Sequence, residues 1–416
     1  MATKTDTLII GGGVIGVCVA YFLAEAGRSV TLLEQNDIAS GSSYGNAGLI
    51  AVAHAVPLPG PGVLTQGLRW LLDSASPFYI KPRLDPDLIR WLWRFRGACT
   101  QDHVLRTIPV LLDLGQASMD LYDELHARHP LDDAFQHRGR LFLFRTQSAL
   151  DHAAEELDLL RRFGVEGEIL DGAGVRDRFP RASPRVMGGV YYPNYAHFAP
   201  ARFVQGMARL VAERGVDIRT HTEVLGFQTQ GAEVTQVRTT RGDFQAQEVI
   251  LAAGAWSAPL GRALGLRLPI QPAKGYSITA RRPDGFPEQP VQLSEEMVAV
   301  TPMGEHLRFS STLELAGFDR RINQRRVDAS RRALRTYVQG TEGLEELEIW
   351  RGFRPLSADD LPLIGRTRRY GNLVLATGHG MLGMTQGPIT GKLVAQIVAG
   401  EEPDLDLTPF SPGRFL

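Results

Sequence analysis

The chain has 416 residues, 44% of them hydrophobic and 22% charged, with a formal net charge of −1. That length gives room for two or three domains and a substantial core, and near-neutrality argues against a nucleic-acid binder, which would carry a basic stripe. Two cysteines, Cys18 and Cys99, are too few for a disulfide framework or a structural zinc site. No metal is expected. No apolar run is long enough to cross a bilayer, and the first apolar segment reads as a strand of the fold rather than a signal peptide. A cytoplasmic protein of a reducing compartment is the expectation.

The first element is a short apolar strand, Leu8 to Ile10, running into Gly11-Gly12-Gly13-Val14-Ile15-Gly16. This is G-x-G-x-x-G. Gly11 permits the tight turn, Gly13 lets backbone approach a pyrophosphate, and Gly16 lets the following helix pack on the strand. The helix runs to Ala26, Gly27 stops it, and a second strand from Ser29 to Leu33 ends at Glu34 and Gln35. The helix N-terminus offers free N–H groups and a positive dipole end to phosphates. Glu34, eighteen residues beyond Gly16, stands where a carboxylate accepts hydrogen bonds from a ribose diol. Strand, turn, helix, strand and acid in register make a dinucleotide site.

A Gly/Ser-rich stretch follows from Ala39 to Gly48, then a Pro/Gly-rich one from Pro57 to Gly62. Residues 101–128 and 147–163 read as helices with apolar residues three and four apart. Strands are expected at 140–145 and 186–193, a helix at 200–215, and several short strands between Val216 and Leu251. A final strand, 372–377, meets the loop Gly378-His379-Gly380-Met381-Leu382-Gly383, and a helix runs on to Ala399. A strand–glycine loop–helix unit thus stands at each end of the chain. The second lacks an acidic ribose partner, so its helix suits another electron-rich group. One nucleotide domain assembled from distant segments, with a substrate domain inserted, is the implied architecture.

Several segments resemble the FAD-dependent amine and amino-acid oxidoreductases that include glycine oxidase and bacterial D-amino-acid dehydrogenase. They are the fingerprint with Glu34, Gly41 to Gly48 (GSSYGNAG), Ile250 to Ser257 (ILAAGAWS), Lys274 to Ser277 (KGYS), Trp350 to Pro355 (WRGFRP), Asp360 to Gly365 (DLPLIG) and Gly378 to Thr385 (GHGMLGMT). They span the chain in the family's order, and NAG, KGYS and GHGxxG lean toward the D-amino-acid dehydrogenase branch. The resemblance implies an α/β fold: a Rossmann-like FAD-binding domain with an interleaved mixed-sheet α+β substrate domain, glutathione-reductase-like and of D-amino-acid-oxidase type. The FAD-binding domain is expected over 1–55, 196–262 and 350–416, and the substrate domain over 56–195 and 263–349.

The same resemblance implies non-covalent FAD, since the chain has no cysteine after Cys99 to tether it. Gly11, Gly13, Val14, Ile15, Gly16, Glu34 and Gln35 would hold its adenosine and pyrophosphate end. Ser42 and Ser43 would meet pyrophosphate oxygens, and Asn46, Ala47 and Gly48 would line the flavin. Val224 would touch the adenine edge through its backbone. Ala253, Gly254 and Trp256 sit where chain passes close to cofactor. Gly378, His379, Gly380, Met381, Gly383, Met384 and Thr385 would aim the last helix at the flavin's pyrimidine edge.

In the same family view, Arg354 would clamp the substrate carboxylate as a planar, permanently charged fork; the alternative is a salt bridge to Asp359. Glycine oxidases carry a second arginine in the loop matched by 378–383, where this chain has Met381, leaving room for Tyr276 to assist. His54 and Lys274 are further candidates, each with an ordinary structural alternative. The activity implied is oxidation of a D-amino acid or cyclic imino acid by hydride transfer to flavin N5, giving an imino acid and then a 2-keto acid and ammonium. Electrons would pass to a quinone or respiratory acceptor. An O2-using oxidase, a 2-hydroxy-acid oxidoreductase and a subunit of an electron-transfer complex are the alternatives. Residues 68–96 interleave Trp70, Phe78, Tyr79, Trp91, Trp93 and Phe95 with arginines and Lys81. That mixture suits peripheral contact with the inner face of a membrane or a partner subunit, but the preferred reading is amphipathic helices packed on the substrate domain with snorkelling arginines.

Overall fold

The structure, a computed structural model, describes residues 2–63 and 78–415. Two large sheets and a small one carry the chain. In the first sheet, Asp217–Arg219, Val30–Leu33, Thr3–Ile10 and Gly242–Leu251 lie side by side and parallel, and Leu373–Thr377 continues the parallel set beside Gly242–Leu251. Leu8 and Ile9 are fully buried and Ile10 nearly so, as expected of a parallel strand covered on both faces. Three segments far apart in sequence therefore meet in one sheet, with the fingerprint turn at its centre.

Helix Val14–Glu25 packs against the terminal helix Gly383–Ala399. The approach is close because Gly391 has no side chain: a Cβ there would lie 2.6 Å from the Cys18 carbonyl. Cys18 is fully buried in this contact, and burial pushes its thiol far up. Helix Gln101–Arg128 covers the terminal helix from the other side, fixed by a 2.5 Å hydrogen bond from the Tyr122 hydroxyl to the Met384 carbonyl. Both ends of the chain are thus locked around one site.

The second sheet runs Glu346–Ser357, Ile270–Arg281, His306–Leu315, Val298–Met303, Val291–Leu293, Arg140–Phe144, Gly188–Tyr192 and Glu168–Asp171, with Phe78–Ile80 beside His306–Leu315. Helix Gln324–Tyr337 covers one face, burying Val327, Leu334 and Tyr337 with Tyr276 and Ile278. The strand Glu346–Ser357 belongs to this sheet along its whole length. The chain therefore returns to the nucleotide sheet after Ser357, not at 350 as expected: continuous pairing with Ile270–Arg281 holds WRGFRP on the substrate side.

Of the stretch 68–96, residues 68–77, including Arg69 and Trp70, lie outside the described residues. Helix Pro86–Ala98 begins at Asp85, whose carboxylate accepts from the Asp87 and Leu88 amides. It turns Leu88, Trp91 and Phe95 onto Leu313, Leu315 and Leu356, and the Trp91 indole donates to the Leu356 carbonyl at 3.0 Å. Its other face leaves Ile89 and Trp93 exposed. Among the described residues no helix is long and apolar enough to cross a membrane.

Candidate active site

A cavity of about 1290 Å³ runs between the two sheets, from the fingerprint turn to the start of the terminal helix. Its nucleotide end is built from backbone. Gly11 has φ +118°, and a Cβ there would collide with the Ala252 carbonyl; a Cβ on Gly16 would overlap the Gly11 carbonyl. Only glycine fits either place. The Ser43 hydroxyl accepts the Val14 amide at 3.0 Å, tying the GSSYGNAG loop to the first turn of the helix. Glu34 accepts the Gly12 amide at 2.8 Å and the Asn36 amide at 2.9 Å, which fixes its carboxylate on the cavity wall. Ser42 donates to the Phe353 carbonyl at 2.5 Å, linking the same loop to the substrate sheet.

Gly11, Gly13, Val14, Ile15, Glu34, Gln35, Ser42, Ser43, Asn46 and Ala47 all line the cavity, as do Val224, Ala253, Gly254 and Trp256. From the last loop His379, Gly380, Met381, Gly383, Met384 and Thr385 line it too. Gly16, Gly48 and Gly378 stand just behind the wall. Gly16 gives the close helix contact described above, and Gly48 and Gly378, at φ +67° and +80°, make the turns that bring their neighbours forward. The terminal helix starts at Gly383 with no side-chain cap and no acidic residue in its first turn, so its positive end faces the cavity uncompensated. Thr385 ties that end to the strand Leu49–Ala51 by accepting the Ala51 amide at 3.0 Å.

On the substrate sheet the cavity wall carries Arg354. Its guanidinium lies over Gly275, where a Cβ would overlap it. One nitrogen, Nη1, donates to the Thr312 carbonyl at 2.8 Å. Asp359 is not its partner: that carboxylate is gripped by Arg414 at 2.8 and 3.0 Å. Burial lowers Arg354 to about 10, which leaves it fully cationic at neutral pH. The result is a half-buried cation on the cavity wall with no carboxylate of the described residues to neutralise it. Thr312 itself has φ +73°, an uncommon conformation for a β-branched residue. The cause is a β-bulge: Lys274 pairs with Glu314 but Tyr276 with Ser311, so the strand carries an extra residue there. The bulge turns the Thr312 carbonyl toward the guanidinium.

Lys274 is not at the cavity. Its side chain is 3% exposed, its ammonium lies 3.3 Å from Glu314 and donates to the Arg321 carbonyl at 3.0 Å. Strand alternation puts it on the helix-covered face, opposite Gly275. Tyr276 borders the cavity, but its hydroxyl donates to Glu314 at 2.9 Å and accepts the Asn323 amide at 3.2 Å. Glu314 also meets Arg326 at 3.1 Å. Lys274, Tyr276 and Arg326 thus converge on one buried carboxylate behind the sheet. His54 does line the cavity; burial and the nearby Arg140 charge hold it down to about 4. His379 shares a hydrogen bond with Thr390 at 3.0 Å, and burial lowers it to about 3. Both histidines are neutral near pH 7.

Arginines beyond Arg354 were not anticipated: Arg140, Arg320 and Arg351 line the cavity, and Arg308 stands behind its wall. Arg308 donates to the Tyr44 and Asn46 carbonyls at 2.7 and 3.1 Å, clamping the GSSYGNAG loop. Arg140 lines the cavity five strands along the sheet from Arg354. Neither lies in a motif: Arg140 opens an otherwise apolar strand, which is the available signal, whereas Arg308 sits in a strand that also carries Glu314 and a Ser-Ser-Thr run and gives none.

The chain matches the model of the family described as FAD dependent oxidoreductase over residues 6–397. It belongs to that family. A protein named D-amino acid dehydrogenase from Granulibacter bethesdensis is 34% identical over 414 residues, covering 98% of this chain and 99% of the relative. A second, from Methylobacterium sp. strain 4-46, is 33% identical, covering 98% of each. Among solved structures, glycine oxidase from Geobacillus kaustophilus superposes with a TM-score of 0.81 at 25% identity, covering all of both chains. L-proline dehydrogenase from P. horikoshii gives 0.78 at 19% identity, covering 100% of this chain and 98% of the other. The cofactor of this FAD dependent oxidoreductase is FAD, and the site fits it. The turn a Cβ would fill, the fixed Glu34 carboxylate and two helix N-termini line a cavity larger than the roughly 300–1,000 Å³ of ordinary ligand pockets.

Proposed function

We propose that this chain is a D-amino-acid dehydrogenase, oxidising a D-amino acid or a cyclic imino acid such as D-proline or hydroxyproline to the imino acid, which water converts, where acyclic, to a 2-keto acid and ammonium. The observation that carries the reading is Arg354, a cavity cation held in place by the Thr312 carbonyl and left without a carboxylate. Such a group is completed by the α-carboxylate of a substrate. Bound FAD supplies the two-electron oxidant. The protein's residues do the rest. Arg354 fixes the carboxylate, Gly275 leaves room for the guanidinium, and neutral His54 and His379 add no competing positive charge. The relatives named D-amino acid dehydrogenase support the choice of substrate class, and the electron acceptor we assign is a quinone or respiratory carrier. Domain limits near 55, 195, 262 and 357 accompany this reading, as does binding of FAD without a covalent link.

The test is an anaerobic titration of the purified yellow protein with D- and L-amino acids, followed at the flavin absorbance. Bleaching by D-amino or cyclic imino acids is expected, and bleaching by 2-hydroxy acids alone would replace the reading. Mixing the reduced protein with air separates dehydrogenase from oxidase: slow return of the yellow colour is expected, and rapid return would identify an oxidase.

A further inference from the structure

Arg140 is 6% exposed and stands on the cavity wall. Its Nη2 is held by the Gln292 side-chain oxygen, and its guanidinium sits 4.8 Å from the Phe142 ring centroid and 5.8 Å from that of Tyr195. Its Nε has no hydrogen-bond partner, and no carboxylate of the described residues forms an ion pair with it. A buried, unneutralised guanidinium is costly unless a ligand completes it.

That ligand is not the amino acid held by Arg354. The strand of Arg354 is first in the substrate sheet and the strand of Arg140 is sixth. At about 4.8 Å per strand the two lie roughly 24 Å apart along the sheet, and a molecule a few bonds long does not touch both. Around Arg140 the wall is largely aromatic and apolar, formed by Phe142, Phe144, Ala149, Val190, Tyr192 and Met297. The polar groups of Gln292, Ser294, Glu156 and His54 are set among them. The cavity reaches solvent at His152, whose side chain is 81% exposed.

We propose that this arm of the cavity is the acceptor site, with Arg140 donating hydrogen bonds to a carbonyl oxygen of a quinone. Largely apolar walls suit an uncharged planar ring, and a fixed cation stabilises the negative charge that develops on the carbonyl oxygen as electrons arrive. The balance closes. The amino acid gives up two electrons and two protons in becoming an imine, and the quinone takes two electrons and two protons in becoming the hydroquinone. Arg354 and Arg140 then serve donor and acceptor in separate arms of one cavity. The inference rests on the dehydrogenase reading above.

The test uses the FAD-loaded full chain reduced with dithionite, so that it does not depend on the amino acid. Reoxidation by a short-chain benzoquinone is compared with reoxidation by ferricyanide. Arg140→Gln is expected to slow the quinone reaction about tenfold or more relative to ferricyanide, with a smaller loss in Arg140→Lys. Ala149→Phe, which narrows the arm and leaves Arg140 in place, is expected to do the same. A redox-inert quinone analogue, followed by quenching of tryptophan fluorescence, should bind about tenfold more weakly to Arg140→Gln. Equal quinone rates and equal analogue affinity in these variants would overturn the inference, as would a native protein that ignores quinone. In that last case bleaching by D-amino acids still stands, whereas quinone reactivity with no bleaching by any amino acid would overturn the substrate reading alone.

Discussion

The two walls of the cavity are made of different materials. On the nucleotide side the wall is mostly backbone: glycines at the fingerprint turn, amides at two helix starts, and a carboxylate pinned by its own neighbours. On the substrate side it is made of side chains, among them the guanidinium groups of Arg354 and Arg140, drawn from different strands of a nine-stranded sheet. A backbone wall tolerates no added atoms but needs few particular side chains. A side-chain wall depends on what stands behind it: the Thr312 bulge for Arg354, and the Lys274–Glu314–Arg326 cluster for the strand that carries that bulge.

The contrast is broken most completely by adding bulk to the backbone wall. Gly16→Val drives side-chain atoms into the Gly11 carbonyl, and the purified protein is expected to be colourless, read as loss of the flavin absorbance. Next in size is Glu314→Ala, which leaves Lys274 and Arg326 buried without their carboxylate. A loss of about 3–5 kcal/mol is expected, measured by denaturant unfolding. Arg354→Ala should weaken substrate binding about 100-fold, the scale of a charge-assisted carboxylate pair. Its reading is the substrate concentration that half-bleaches the flavin, and Arg354→Lys should recover only part of it.

How much of this was legible beforehand follows the same division. The fingerprint, GSSYGNAG and GHGMLGMT are local patterns whose spacing fixes a turn against a helix, and all three line the cavity. The interleaving of the nucleotide sheet was legible because a strand–glycine loop–helix unit stands at each end of the chain. The substrate wall was harder. KGYS names a strand but not its face, and pleating sends Lys274 to the helix-covered side while Gly275 meets Arg354. Arg308 and Arg140 act through partners more than 150 residues away, which no local pattern announces. The bulge at Thr312 depends on pairing between strands and is invisible in one of them alone.

Two smaller effects sharpen the comparison. His379 is held down to about 3 in the fold by burial, against about 6.5 when unfolded. The unfolded chain therefore binds the proton first, and stability present above pH 6.5 or so is lost as pH falls toward 3. At about 1.4 kcal/mol per unit this amounts to a few kcal/mol, and His379→Gln should flatten the acid side of the unfolding curve. Thr312→Gly removes the steric cost of φ +73° and should stabilise the fold by about 1 kcal/mol, read by thermal unfolding.

Arg354 as the carboxylate clamp of an FAD-dependent amino-acid dehydrogenase is the central claim. Anaerobic titration of native and Arg354→Ala protein with D-proline and D-alanine tests it most directly. The account predicts that the native flavin bleaches and that the variant, equally yellow at the start, needs about 100-fold more substrate. Half-bleaching at the same concentration in both, or no bleaching of the native protein by any amino acid, would contradict it.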